Sequence, residues 1–179
     1  MHRRRTIGEL AERLISHQGR TIRQRYADLN TYVYRAISAI GYDPQIHTGL
    51  DPATILQRGC GRCQQSAEVM CAVIRVAGLR VWRVEMFGIG EREACSHAVV
   101  EVEYEKGAHL YDPTCGCYYT EDASPTGRVL SYDELRADPS LAVSKLVPAC
   151  VQWLSDDEFP RGPMASPQTY QHTGEMRRV

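Results

Sequence analysis

Apolar residues recur at helical spacing in the first half of the chain and at alternating positions further on. Three helices are predicted in that first half. The first opens with Thr6-Ile7-Gly8-Glu9, which resembles a capping box, the second begins at Thr21, and the third begins at Cys63. The periodic positions are Leu10, Leu14 and Ile15 in the first, Ile22, Tyr26, Leu29, Val33 and Ile37 in the second, and Cys63, Ala67, Met70, Cys71, Ile74 and Ala77 in the third. We expect the second helix to run to Ile40, where Gly41 stops it, and the third to end near Gly78. Residues 42–57 are predicted to be a loop.

The apolar period becomes two after Gly78, which predicts strands. In the strand that begins at His97, the side chains of His97, Val99, Glu101 and Glu103 share one face, and those of Ala98, Val100, Val102 and Tyr104 share the other. Further strands are predicted at 81–86, 109–112 and around Tyr118-Tyr119, and Ser131-Tyr132-Asp133-Glu134 predicts the start of a short helix. Helices followed by an antiparallel sheet indicate an α+β fold. We expect one domain over 1–155 and a polar C-terminal tail over 156–179.

Composition narrows the classes of function. The 179 residues are 43% hydrophobic, enough for a single core, and carry a net charge of −1. That charge predicts neither a nucleic-acid partner nor a membrane surface, and no apolar stretch is long enough for a signal peptide or a membrane span. Seven cysteines, an odd number in a chain of this size, favour a reducing cytoplasm, although export without an N-terminal signal peptide stays open.

The candidate nucleophile is Cys63, where a glycine-bearing turn leads into the third helix. Amides without intrahelical partners and the positive end of the helix dipole favour a thiolate there. Cys60 competes, but Cys63 lies on the stripe that faces the body of the protein. A buried structural cysteine is one alternative. Others are a redox Cys-x-x-Cys pair and a zinc site, whose ligands would be Cys60, Cys63, Cys115 and Cys117.

His97 and Asp112 supply the other parts of a thiol triad, in the order Cys, His, Asp. If the hairpin turn is Glu105-Lys106, His97 and Asp112 are diagonal neighbours on adjacent strands, with about 7–8 Å between their backbone positions, within side-chain reach. If the turn is Lys106-Gly107, they lie further apart. Each residue also has a structural explanation, as a strand-end histidine and a turn-forming aspartate. His109 is the nearest rival histidine.

Four segments in this order resemble the transglutaminase-like superfamily of papain-like-fold thiol enzymes. They are Gly61-Arg62-Cys63-Gln64-Gln65-Ser66-Ala67, Val76-Ala77-Gly78-Leu79-Arg80-Val81, Ser96-His97-Ala98-Val99-Val100-Glu101-Val102 and Leu110-Tyr111-Asp112-Pro113-Thr114. The resemblance implies a papain-like α+β core, a Cys63–His97–Asp112 triad and a thioester intermediate. Family members often carry an aromatic residue at the position of Val99, which bears on substrate contacts. Gln57-x-x-Cys60-Gly61-x-Cys63 also resembles the papain signature, so Gln57 is a candidate oxyanion donor beside the Cys63 N–H.

The resemblance favours a cysteine protease or amidase-type hydrolase acting on a peptide, protein or amide-containing substrate, and we expect no cofactor and no metal. A transglutaminase, a toxin-like glutamine deamidase and an amide-forming enzyme of peptide biosynthesis share the same chemistry and stay open. The contrasting class is a catalytically silent binding domain that keeps the fold and presents a groove.

Overall fold

The computed structural model describes residues 5–39, 51–87, 96–148 and 176–178. The helices are α1 (Ile7–Ser16), α2 (Ile22–Ala36), α3 (Pro52–Arg58), α4 (Cys63–Val76), α5 (Tyr132–Ala137) and α6 (Leu141–Ser144). The strands are β1 (Ser38–Ala39), β2 (Cys60–Gly61), β3 (Val81–Phe87), β4 (Ser96–Tyr104), β5 (Gly107–Asp112), β6 (Cys117–Tyr119), β7 (Leu146–Pro148) and β8 (Met176–Arg178). No helix in these ranges is both long and apolar enough to cross a bilayer.

The main sheet has six strands in the order β7-β6-β5-β4-β3-β8, and all neighbouring strands are antiparallel. β1 and β2 form a separate parallel pair. The predicted α+β class is therefore confirmed. The division into a domain over 1–155 and a tail over 156–179 stays a prediction, because residues 149–175 lie outside the described ranges; residues 176–178 form β8, which pairs with β3.

The two faces of the sheet belong to two hydrophobic clusters. On one face, Ala98, Val100 and Val102 pack with α1, α2 and α4. On the other face, strand residues that include Val99 and Leu110 pack with α5 and α6. The strand alternation expected from the sequence thus separates two buried layers, and His97 and Asp112 share the parity of the second layer. α4 begins at Cys63 and buries Cys71 in the first cluster.

Local capping signals place several helix starts as predicted. Thr6 and Ser131 each accept a hydrogen bond from the backbone N–H three residues on, which completes the expected capping boxes of α1 and α5. Leu10 and Leu14 are buried, but Ile15 is 54% exposed, so its expected place on the apolar stripe was wrong.

The region between α2 and α4 differs from the sequence prediction. α2 ends at Ala36 rather than Ile40, because Ile37 has an extended backbone that leads into β1, and β1 pairs with β2. The predicted loop contains α3. Its N-cap, Asp51, accepts bonds from the N–H groups of Ala53 and Thr54, and Pro52 follows at the first helical position. Residues 42–50 of that predicted loop lie outside the described ranges.

The β4–β5 hairpin has the two-residue turn Glu105-Lys106, with φ of 49° and 64°, and Tyr104 pairs with Gly107. Positive φ at both central residues is the type I′ geometry, which matches the twist of the strands. Val100 pairs with Tyr111 in this register. Asp112 is therefore diagonal to His97, as the first of the two expected registers requires.

Candidate active site

At the start of α4, the side chain of Gln65 in the first turn lies close to the two residues that precede the helix. The Gln65 side chain accepts a hydrogen bond from the Arg62 N–H at 3.0 Å and folds back over Gly61. A Cβ at Gly61 would lie 2.8 Å from Gln65 Oε1 and 3.1 Å from its Cβ. A side chain at position 61 would therefore force Gln65 to shift from the place where it holds the Arg62 N–H.

The Cys63 thiol lies half-buried at the first position of α4 and contacts β4. Burial raises its pKa, but hydrogen bonding and charge from His97, followed by hydrogen bonds from the backbone N–H groups of Ala98 and Gln64, outweigh burial. The net pKa of Cys63 is lowered. A thiol with these donors is held toward its nucleophilic thiolate form.

His97 links Cys63 to Asp112. Its Nε2 lies 2.8 Å from Asp112 Oδ2, which leaves Nδ1 to face the Cys63 thiol. The two side chains are 8% and 1% exposed, so water screens the contact little. Burial lowers the pKa of His97, but the Asp112 carboxylate and then Cys63 outweigh burial and raise it to about 10. This favours an imidazolium between two anions.

The second oxygen of Asp112 is held by the turn that follows it. Oδ1 accepts the backbone N–H groups of Thr114 and Cys115, both at 2.9 Å. Burial raises the pKa of Asp112, but the charge and hydrogen bond of His97, with these two amides, outweigh it and lower the pKa. The carboxylate is therefore ionised and fixed in orientation before any substrate arrives.

The β5–β6 turn depends on Gly116, which has φ of +62°. A Cβ at this position would lie 2.6 Å from the ring of Tyr34 on α2. Glycine is needed here both for the backbone conformation and for the contact with α2.

The structure brings together Cys63, His97 and Asp112 of the predicted site residues. Gln57 lies near the end of α3, with an exposed side chain. Its role as oxyanion donor stays a prediction. His109, the rival histidine, is on β5, and its ring nitrogens face the backbone oxygens of Val129 and Tyr104.

Two features of the site were missed by sequence reasoning. The first is the backbone amide of Ala98 on β4, which contacts the Cys63 thiol, since a main-chain donor from another element leaves no signal in residue identity. The second feature is Cys115: ligand atoms of His97, Asp112 and Cys115 all lie within 4.8 Å of one another. The four cysteines of the alternative zinc site form no such group in the part of the chain that the structure describes, where Cys60, Cys63, Cys71, Cys115 and Cys117 form no disulfide bond.

Comparison with known proteins assigns the family. The model of the transglutaminase-like superfamily matches residues 9–113, which is more than half of the chain and includes all three residues of the Cys-His-Asp cluster. The chain belongs to this superfamily. No curated protein sequence matches it.

Two solved structures are similar to the chain. The first, a candidate cysteine protease from Cytophaga hutchinsonii, has a TM-score of 0.52 and 10% identity, with 97% of this chain covered. This chain spans 47% of the length of that protein. The second, a candidate protease from Parabacteroides distasonis, has a TM-score of 0.47 and 13% identity over 70% of this chain and 27% of its own. At 10% identity, the first comparison shows a shared fold.

Proposed function

We propose that this chain is a thiol acyl-transfer enzyme of the hydrolase type, a cysteine protease or amidase that cleaves amide bonds in a peptide, protein or smaller amide substrate. Cys63 is the nucleophile, His97 the acid and base, and Asp112 the residue that orients His97. The observation that carries the proposal is the continuous contact from the Cys63 thiol through His97 to the buried Asp112 carboxylate. The description of the Cytophaga protein as a candidate cysteine protease agrees with this choice.

The first half of the reaction forms a thioester. The Cys63 thiolate attacks the carbonyl carbon of the substrate amide, and negative charge develops on the carbonyl oxygen. The Cys63 N–H, at a helix position without an intrahelical acceptor, donates to that oxygen, and the side chain of Gln57 is the proposed second donor. His97 then gives its Nδ1 proton to the leaving nitrogen, and the C–N bond breaks.

The second half releases the acid. Neutral His97 takes a proton from water, the resulting hydroxide attacks the thioester carbonyl, and the C–S bond breaks to restore the Cys63 thiolate and the protonated imidazole. Asp112 keeps the Nε2 proton in place throughout, because its Oδ1 is anchored by the Thr114 and Cys115 amides. Hydrolysis needs water alone as acceptor, whereas a transferase must also bind an amine.

The proposal is tested by acylation with p-nitrophenyl acetate, followed by intact mass and by release of nitrophenol. We expect one acetyl group on Cys63 of the wild type, with turnover, and none in Cys63→Ala. Cys60→Ala is the matched control, because its thiol lies three residues away in β2, and we expect it to acylate normally. Since the pKa of Cys63 is lowered, iodoacetamide should label Cys63 first and should still do so below pH 7.

Equal labelling of Cys60 and Cys63, or acylation that survives in Cys63→Ala, would contradict the proposal and favour a silent binding domain. Addition of a primary amine to the acylated protein separates hydrolysis from transfer. We expect free acetate to form at an unchanged rate at millimolar amine. Efficient capture by the amine at that concentration would instead support the transferase alternative.

The role of Asp112 gives a second prediction. Asp112→Asn keeps an oxygen for the Thr114 and Cys115 amides but removes the charge that holds His97 protonated at Nε2. We expect acylation to fall by about 10²–10⁴-fold, with the far-ultraviolet circular dichroism spectrum unchanged. Asp122→Asn is the control, since Asp122 likewise accepts a backbone N–H, at Ser124, on an exposed turn. Loss of folded structure in Asp112→Asn would mean that the carboxylate serves the fold instead.

A further inference from the structure

Cys115 lies beside the triad, and the proposed reaction does not use its thiol. It is a partly exposed residue of the β5–β6 turn, three positions after Asp112, and it packs against the second hydrophobic cluster. Ligand atoms of Cys115, His97 and Asp112 all fall within 4.8 Å of one another. Cys63 packs against the other cluster and reaches His97 from the opposite ring nitrogen. The site therefore has two thiols close to a single imidazole.

Sulfur, imidazole nitrogen and carboxylate oxygen are together the donor set that Zn²⁺ prefers in proteins. Bond lengths of about 2.0–2.3 Å place tetrahedral ligand atoms roughly 3.2–3.7 Å apart. His97 Nε2 and Asp112 Oδ2, at 2.8 Å, need to separate slightly, and Cys115 Sγ needs to approach by about 1 Å at most. The Cys115 side chain is short and half-exposed, so a rotation about its Cα–Cβ bond gives a movement of this size.

The support around these ligands resembles that of a metal centre. Asp112 would bind through Oδ2 while Oδ1 keeps the Thr114 and Cys115 amides, which is how outer hydrogen bonds orient a ligating carboxylate. One carboxylate and one thiolate balance the two charges of the ion.

We propose that His97, Asp112 and Cys115 bind Zn²⁺, which replaces the proton between His97 Nε2 and Asp112 Oδ2. Binding releases the Nε2 proton and the Cys115 thiol proton to solvent. This ligand set differs from the four-cysteine zinc site considered above, since it uses neither Cys60 nor Cys63. Its consequence for activity rests on the proposed function: with Zn²⁺ on Nε2, His97 is held away from its orienting carboxylate, and acyl transfer stops reversibly.

The test measures zinc binding in a Cys63→Ala background, so that the nucleophile cannot contribute. Zn²⁺ is titrated against a chromophoric chelator with that protein and with added Cys115→Ser or Cys60→Ser. We expect Cys115→Ser to weaken zinc binding at least about tenfold, because a ligand is lost, and Cys60→Ser to leave it unchanged. Equal affinities for all three proteins would overturn the proposal.

A second measurement leaves Cys115 intact and therefore does not depend on how a variant folds. Iodoacetamide labelling is mapped by peptide mass spectrometry with and without Zn²⁺ in the Cys63→Ala protein. We expect Zn²⁺ to protect Cys115 and a chelator to restore its labelling, while Cys60 labels equally in both. Protection of Cys60 with no protection of Cys115 would contradict the proposed ligand set. Zinc binding in this protein is independent of acylation, so either proposal can fail while the other stands.

Discussion

Each end of the β4–β5 hairpin holds a buried histidine, and the two histidines differ in the groups that they contact. His97, near the open end, has a carboxylate on one ring nitrogen and a thiol facing the other. His109, near the turn, has the backbone oxygen of Val129 at 2.7 Å and that of Tyr104 at 3.2 Å, and its ring stacks on Tyr104 with centroids 3.8 Å apart. His97 and His109 are thus the same type of residue, both are buried, and both belong to the same hairpin.

The difference lies in what the partners can do. Backbone carbonyls neither ionise nor react, so the contacts of His109 hold β5 to the segment around Val129. The partners of His97, a carboxylate and a thiol, are both ionisable, so a proton can move between the groups that hold the ring. A buried histidine therefore indicates chemistry only through the groups that it bonds.

The largest expected effect comes from exchanging these two histidines for glutamine. His97→Gln removes the proposed proton carrier, and we expect nitrophenyl acetate turnover to fall by about 10²–10⁴-fold. The free energy of unfolding should also fall, because the buried Asp112 carboxylate loses its charged partner. His109→Gln loses one of two buried hydrogen bonds, and we expect the free energy of unfolding to fall by about 1–3 kcal/mol with normal Cys63 acylation. Urea unfolding and acylation are measured on both. A large loss of acylation in folded His109→Gln would break the comparison.

The second-largest effect concerns the β5–β6 turn, whose backbone amides hold the Asp112 carboxylate. Gly116 and Gly78 both have positive φ, of 62° and 74°, but a Cβ meets the Tyr34 ring at Gly116 and nothing within 4 Å at Gly78. Gly78→Ala should cost about 1–2 kcal/mol of unfolding free energy through backbone strain alone. Gly116→Ala should cost about 1–3 kcal/mol more, because the ring must move, and should slow acylation as the Asp112 amides shift. Equal costs in thermal unfolding would show that the Tyr34 contact is unimportant.

The smallest expected effect concerns a second buried carboxylate, that of Asp28, which can be compared with Asp112. Asp28 on α2 is 3% exposed and Arg20 Nε lies 3.5 Å from its Oδ2, an oxygen without a hydrogen bond among the described residues. Burial raises the pKa of Asp28 to about 6, although Arg20 and Arg13 oppose the shift. The folded protein thus keeps a proton that the unfolded chain has lost between about pH 4 and 6, and stability falls as pH rises through that window.

Asp28→Asn should remove this penalty. We expect the unfolding free energy at pH 7 to rise by up to about 3 kcal/mol, and the gain to disappear below pH 4. Urea unfolding at both pH values measures it. A loss of stability at pH 7 would show that the ion pair with Arg20 outweighs the cost of burial.

The parts of the site that local signals specify were predictable. The apolar stripe from Cys63, the alternation around His97 and the capping boxes at Thr6 and Ser131 depend on near neighbours in sequence, and the structure has them as expected. The hairpin register was not decidable, because Glu105 and Lys106 adopt positive φ without being the residues that usually do so.

Long-range strand pairing and turn geometry account for the features of the fold and the site that could not be predicted from the sequence. The end of α2 is set by the parallel pairing of β1 with β2, more than 20 positions further on, which no local pattern encodes. Asp51-Pro52 is a local start signal for α3, but the stretch around it is rich in breakers, which favours a loop prediction. Cys115 approaches the triad through the fold of a four-residue turn, a distance that spacing alone does not give.

Two thiols with different environments lie on α4, and their labelling can report how much of the protein is folded. The lowered pKa of Cys63 depends on neighbours that only the native chain assembles, whereas Cys71, eight positions on, is fully buried with a pKa raised to about 12. We expect alkylation of Cys63 to slow and Cys71 to become accessible as the chain unfolds. The ratio of label on the two cysteines therefore reports the native population in one mass spectrum, without any added probe.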